Sequence, residues 1–210
     1  AHKGYIVWVT GQEPQTDDGS HHHRKGLSRL PMKAMLLKDI CDLQVETAPL
    51  VMEEMDVPTP KPGELLIRVS ACGVCHTELD IIEGRTPPPS LPVIPGHQVV
   101  GRVEAAGAGA AGFSTGDRVG VAWIFDACGV CEYCRTEREN LCPHFKATGR
   151  DAHGGYAEFM TVPARSAHPL PPVFSDLEAA PLLCAGAIGF RALNLTGMTD
   201  GQRLGLVGFG

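Results

Sequence analysis

Positive charge is scarce. Lys plus Arg number 18 against 24 Asp plus Glu, a formal net charge of −6 over 210 residues. This excludes a broad basic surface for nucleic acid or anionic lipid. Long apolar runs are also missing: the longest, around Leu182–Phe190, is under half of the roughly 20 residues that a bilayer-spanning helix needs. The chain therefore implies neither a nucleic-acid nor a membrane partner. No secretory leader is visible, because Tyr5–Thr10 is too short for its apolar core. Aromatic residues make up only 6%, and no internal repeat stands out.

Apolar residues reach 43%, enough for a sizeable core, and the length suits one domain plus part of a second. With 25 Gly and 17 Pro, the chain reads as short strands between turns. Strands are expected at Met32–Leu37, Leu65–Val69, Val99–Val103, Arg118–Trp123 and Tyr156–Val162, with one short helix at His76–Glu83. That pattern predicts a compact, barrel-like β domain over 32–172. Residues 1–31, with the polar run Asp17–Gly26 and three adjacent histidines, read as a flexible extension, Met32 or Met35 being a plausible start. The triple His could bind a metal adventitiously.

From 173 the pattern changes. Ser175-Asp176-Leu177-Glu178 has the spacing of a capping box, in which Ser and Glu satisfy each other's backbone amides. A Leu/Ala-rich helix to Leu195 should follow, split at Pro181, with Gly197 just past its end. An apolar strand over Arg203–Val207 then runs into Gly208-Phe209-Gly210. Strand into G-x-G is the opening of the dinucleotide fingerprint G-x-G-x-x-G, so Gly208 and Gly210 are candidate cofactor-binding positions.

Eight cysteines remain to be explained. They fit a chain kept reduced in the cytoplasm, where clustered thiols bind metal or do redox work. Cys128, Cys131, Cys134 and Cys142 form C-x2-C-x2-C-x7-C. Four thiolates this close can wrap one tetrahedral zinc with no open position, a structural role. Arg135, Arg138 and Lys146 are placed to offset the surplus negative charge. An iron–sulfur cluster is the competing reading, since Pro143 follows the last Cys, although a final spacing of seven counts against it. Cys41 reads as a small core residue. Cys72 and Cys75 could be a redox pair, and His97 and Cys184, taken singly, carry no distinctive signal.

Taken together, C-G-V-C-H-T-E-L-D, P-G-H, the four-cysteine lobe, L-L-C-A-G and the strand into G-F-G resemble the zinc-dependent alcohol dehydrogenases of the medium-chain dehydrogenase/reductase superfamily. The likeness runs in order through residues 32–210. It implies a mixed α/β architecture: a β-rich GroES-like catalytic barrel, then the start, helix and first strand, of a truncated Rossmann domain at 173–210. It also implies two zinc ions per chain and NAD or NADP as cofactor. Cys75, His97 and Cys184 would hold the catalytic zinc, with Cys72 outside the set, and the four-cysteine lobe the structural one. The substrate would be a small alcohol, aldehyde or ketone, with hydride passing between it and the nicotinamide.

Other roles carry over by the same resemblance. Thr77 matches the hydroxyl that takes the alcohol proton, though a helix cap would explain it too. Glu78 matches the acid that orients the imidazole of His97. His76 matches a position facing cofactor phosphate, and Trp123 a wall of the substrate pocket or plain core. Three positions depart: Asp80 stands where a relay histidine is frequent, Gln98 where Glu usually follows the zinc histidine, and Ile188 where Thr is common. Relatives continue well beyond the G-x-G, often as oligomers, so this chain alone is expected to turn over negligibly. A non-catalytic zinc-binding module is the alternative.

Overall fold

In a computed structural model, residues 7–9 and 31–206 are described. Strands β1 (Val7–Val9), β4 (Glu64–Gly73), β5 (Gln98–Ala106), β6 (Arg118–Val121), β9 (Phe159–Pro163) and β10 (Ala167–Pro169) form one antiparallel sheet. β4 is its spine. One edge pairs with β5, while the other takes β9 along its first half and β1 along its last residues. Two irregularities in the β4–β5 register, at Leu66/Ile67 and Val69/Ala71, bend the sheet. A hairpin of β2 (Pro31–Leu37) and β3 (Leu50–Asp56) closes over it through the bridges Ala34–Ala157 and Leu37–Val93.

The core follows from alternation. Leu65, Ile67 and Val69 of β4 are buried with Val99 and Val103 of β5, Val119 and Val121 of β6, and Met160 and Val162 of β9. Removing such branched side chains from water is the main drive for closing the barrel. A satellite cluster seats α1 (His76–Ile82): Ile81 and Ile82 pack on Leu37 and Val93. β7 (Ile124–Asp126) and β8 (Lys146–Ala147) pair across the base of a lobe that carries α2 (Glu132–Arg135).

The C-terminal segment is helical from Asp176 to Leu195. It comprises α3 (Asp176–Pro181), one π-helical turn over Leu182–Gly186, and α4 (Ala187–Leu195). The Ser175–Glu178 capping box forms as its spacing requires. The run divides at Pro181 as expected, although the second α-helix begins only at Ala187. Pro181 closes α3, and the wider turn that follows absorbs the change in backbone pairing. Ala179 and Ala180, fully buried, lie against Ala71 and Val100 of the sheet. Gly197 takes φ +63° beyond the helix end, the left-handed conformation expected there.

Two strand expectations need correction. Arg203–Leu206 forms no strand: among the described residues nothing pairs with it, and Leu204 and Leu206 are exposed, so apolar character alone cannot make a ladder. Val207, Gly208 and Gly210 lie outside the described residues, as do most of residues 1–30. The strand expected at Tyr156–Val162 begins only at Phe159. Residues 156–158 instead bond across to β2, through Met35 N–H on the Tyr156 carbonyl and Glu158 N–H on the Lys33 carbonyl. No described helix is long and apolar enough to cross a membrane.

Candidate metal centres

The first centre grows from the start of α1. Its N-cap is Cys75, not Thr77, and Glu78 closes a capping box by accepting the Cys75 amide at Oε2, 2.7 Å away. The other carboxylate oxygen, Oε1, lies 2.5 Å from His97 Nδ1, with both side chains at most 2% exposed. One acid thus caps the helix and fixes the imidazole. This dual use was not legible in the sequence, because Cys is an unusual cap residue.

His97 is aimed by the turn before it. Gly96 has φ +98°, and a Cβ there would stand 2.6 Å from the Tyr156 ring and 2.9 Å from Cys72 Sγ. Cys72 is fully buried against this turn, its thiol raised by burial, and it stays apart from the sulfurs described next.

Cys184 arrives from the π-helical turn, its Sγ 3.9 Å from that of Cys75. One ligand atom each from Cys75, His97 and Cys184 falls within 4.8 Å of the others. With Nδ1 engaged by Glu78, the ring's free atom is Nε2, buried and without a hydrogen-bond partner. Leaving such an atom unsatisfied costs about 1–3 kcal/mol, so the site fits an electrophile facing two sulfurs. A Cys2His donor set suits a borderline-soft ion such as zinc and leaves the fourth tetrahedral position free.

The charges support the same fit. Cys75 is drawn down to about 3, by the thiol of Cys184 first and then by His97. Cys184, facing that thiolate and partly buried, is pushed above the ordinary thiol range. Burial opposes charging of His97, yet Cys75 and Glu78 together raise it to about 9.

Around the triad, Thr77 Oγ1 lies 3.6 Å from Cys75 Sγ. Trp123 sets its ring edge-on to His97, centroids 5.0 Å apart, with the Arg150 guanidinium over it at 5.6 Å. His76 is largely exposed, its Nε2 3.8 Å from Asp80, which Arg85 also binds at 2.5 Å. Gln98 is buried at the start of β5, and Ile188 is exposed on α4.

The second centre is local. The ligand atoms of Cys128, Cys131, Cys134 and Cys142 all lie within 4.8 Å of one another. Backbone amides point at the sulfurs: Cys128 N–H and His144 N–H at Cys142, and Cys131 N–H at Cys128, at 3.3–3.4 Å. Cys128 is lowered to about 6 by the amides of Val130 and Cys131, whereas burial lifts Cys134 to about 12. Arg138, beside this lobe, stacks on Tyr133 and reaches Glu132 and Thr136, while the amide dipoles solvate the sulfur charge. Neither Cys41 nor Cys72 joins either group.

A curled antiparallel barrel with a His/Cys triad at its edge and a four-cysteine lobe beside it defines a class. Residues 61–172 match the alcohol dehydrogenase GroES-like domain, and the chain belongs to that family. It is 56% identical to a Mycobacterium tuberculosis protein named "Probable alcohol dehydrogenase AdhA", covering 79% of this chain and 49% of that one. An alcohol dehydrogenase of Geobacillus stearothermophilus is 42% identical over 77% of this chain and 48% of its own. The cobalt- and zinc-bound thermostable alcohol dehydrogenase of Pyrobaculum aerophilum superposes with a TM-score of 0.68 at 33% identity, covering 78% of this chain and 49% of that one. The chain thus spans about half the length of the curated relatives it matches.

Proposed function

We propose that this chain is the catalytic part of a zinc-dependent alcohol dehydrogenase that interconverts alcohols with aldehydes or ketones using NAD or NADP. In that reading residues 32–172 are the catalytic domain, 173–210 begin the cofactor-binding domain through Gly208 and Gly210, and 1–31 are an extension. Cys75, His97 and Cys184 hold the catalytic zinc, and Cys128, Cys131, Cys134 and Cys142 the structural one. The observation that carries the reading is the buried, partnerless Nε2 of His97 grouped with two sulfurs, Cys75 and Cys184, that lie 109 residues apart in the sequence.

Zinc would act as a Lewis acid on the substrate oxygen, and the nicotinamide would carry the hydride. The chain's own residues do the rest. Glu78 holds Nδ1 of His97 so that Nε2 presents its lone pair to the metal. Thr77, beside Cys75, would accept the substrate hydroxyl proton at Oγ1 while releasing its own hydroxyl proton onward, acting as a relay. The exposed His76, 3.8 Å from Asp80 one turn along α1, offers the proton a way to solvent, with His76 also placed to meet cofactor phosphate. Trp123 forms one wall of the substrate site and braces His97. All eight cysteines are free, which suits the cytosol.

The test is ligand binding to the cobalt-substituted chain. An added small alcohol or imidazole should perturb the visible bands of one cobalt, and the perturbation should vanish in Cys184→Ser. A single metal equivalent, indifferent to added ligands and to Cys184→Ser, would instead support a non-catalytic zinc module.

A further inference from the structure

Two members of the triad belong to the barrel and the loop that caps it. The third, Cys184, sits on a helix that must be docked at the correct tilt. The docking has a specific anchor. Arg118, at the start of β6, spreads its guanidinium over the connection leading to α3. Its Nε donates to Asp176 Oδ1 at 2.7 Å, Nη1 to the Pro171 carbonyl at 2.8 Å, and Nη2 to the Phe174 carbonyl at 2.9 Å. Ser70 of β4 donates to the other oxygen of Asp176 at 2.5 Å. Three donors of a rigid planar group thereby tie β6 to both ends of the connection and to the first turn of the helix.

Further along, the helix lies directly on the sheet. Ala179 and Ala180 touch Ala71 and Val100, and their small size allows the approach. At Gly120, two residues after Arg118, a Cβ would stand 2.7 Å from Leu183 Cδ2. Leu183 immediately precedes Cys184.

The lever arm decides the size of the effect. Cys184 is eight residues beyond Asp176, about 12 Å along a helix axis. A tilt of about 10° at the anchor would carry its sulfur about 2 Å, far outside the roughly 0.2 Å within which metal–ligand distances are held.

We propose that Arg118 is a positioning residue for the metal triad, setting the helix tilt that delivers Cys184 beside Cys75 and His97, with Gly120 leaving the space into which Leu183 settles. The proposal rests on the reading that Cys184 is a metal ligand. It requires no contact between Arg118 and metal, substrate or cofactor.

The experiment uses the 210-residue chain loaded with zinc or cobalt. Cys184→Ser first establishes that one equivalent depends on this thiol; if both equivalents survive that change, the reading of the site fails and the proposal falls with it. In Arg118→Gln, chelator removal of the triad metal and iodoacetamide alkylation of Cys184 should each accelerate roughly tenfold or more, as loss of a charge-assisted anchor implies. The four-cysteine metal should leave at its original rate. Ser70→Ala should show the same pattern more weakly, and Gly120→Ala should alter the cobalt bands of the triad alone. A residue that merely stabilises the fold would loosen both metals alike. Rates for the triad metal and Cys184 that stay within about twofold of the parent in Arg118→Gln overturn the proposal. If Arg118→Gln sheds both metals, Ser70→Ala and Gly120→Ala decide: selective loosening of the triad supports the anchor, and equal loosening or none overturns it.

Discussion

The two cysteine centres are built in opposite ways. The four-cysteine lobe takes all its sulfurs from the segment Cys128–Cys142 and orients them with its own backbone amides. The triad takes one ligand from the cap of α1, one from the turn before β5 and one from a helix 109 residues after the first. A local site can form as soon as its loop closes. A dispersed site exists only when sheet, cap and docked helix are all in place, so its affinity for metal contains the stability of the fold.

The largest effect should come from removing one ligand at a time. Cys134→Ser should abolish one zinc equivalent and spare the triad, and Cys184→Ser should do the reverse, as measured by metal analysis after gel filtration. Loss of both metals from either variant would mean that the two centres are one cooperative unit.

Acidity should separate them next. For zinc to bind the triad, His97, raised to about 9, and Cys184, raised above the thiol range, must each release a proton, whereas Cys75 is already a thiolate. A proton competes with zinc, so affinity falls as the pH falls. Between pH 6 and 8 the triad's affinity should change roughly 100-fold per pH unit, a slope near two for two released protons. A slope of about one in competition titrations would show that one of these protons is already gone.

The smallest expected effect sharpens the link between cap and ligand. Glu78→Gln keeps the shape but removes the charge on His97 Nδ1, and should weaken the triad metal roughly 10- to 100-fold with the lobe unchanged. Equal affinity in both proteins would show that the carboxylate serves only to cap α1.

The same contrast governs what could be read from the sequence. The lobe was legible from spacing alone, because its chemistry is contiguous. Cys75, His97 and Cys184 had no individual signal and became a set only through resemblance, since their convergence is a property of the barrel. Strand positions were legible where apolar residues alternate, as in β4 and β5. They failed at Arg203–Leu206, where hydrophobicity has no neighbouring strand to bond, and at residues 156–158, where tertiary pairing with β2 replaces the ladder. The cap at Cys75 was hidden because a thiol is a poor cap, and only the reach of Glu78 makes the box close.

The turn at Leu182–Gly186 has a consequence for how this segment tolerates change. Five residues fill a loop of helix that four would normally close, so the faces of α3 and α4 are out of phase by about 100°. Removing one residue such as Ala185 would bring the two halves back into phase. The helix would become more regular, and α4 would turn by about 100° relative to α3, which stays docked on the sheet.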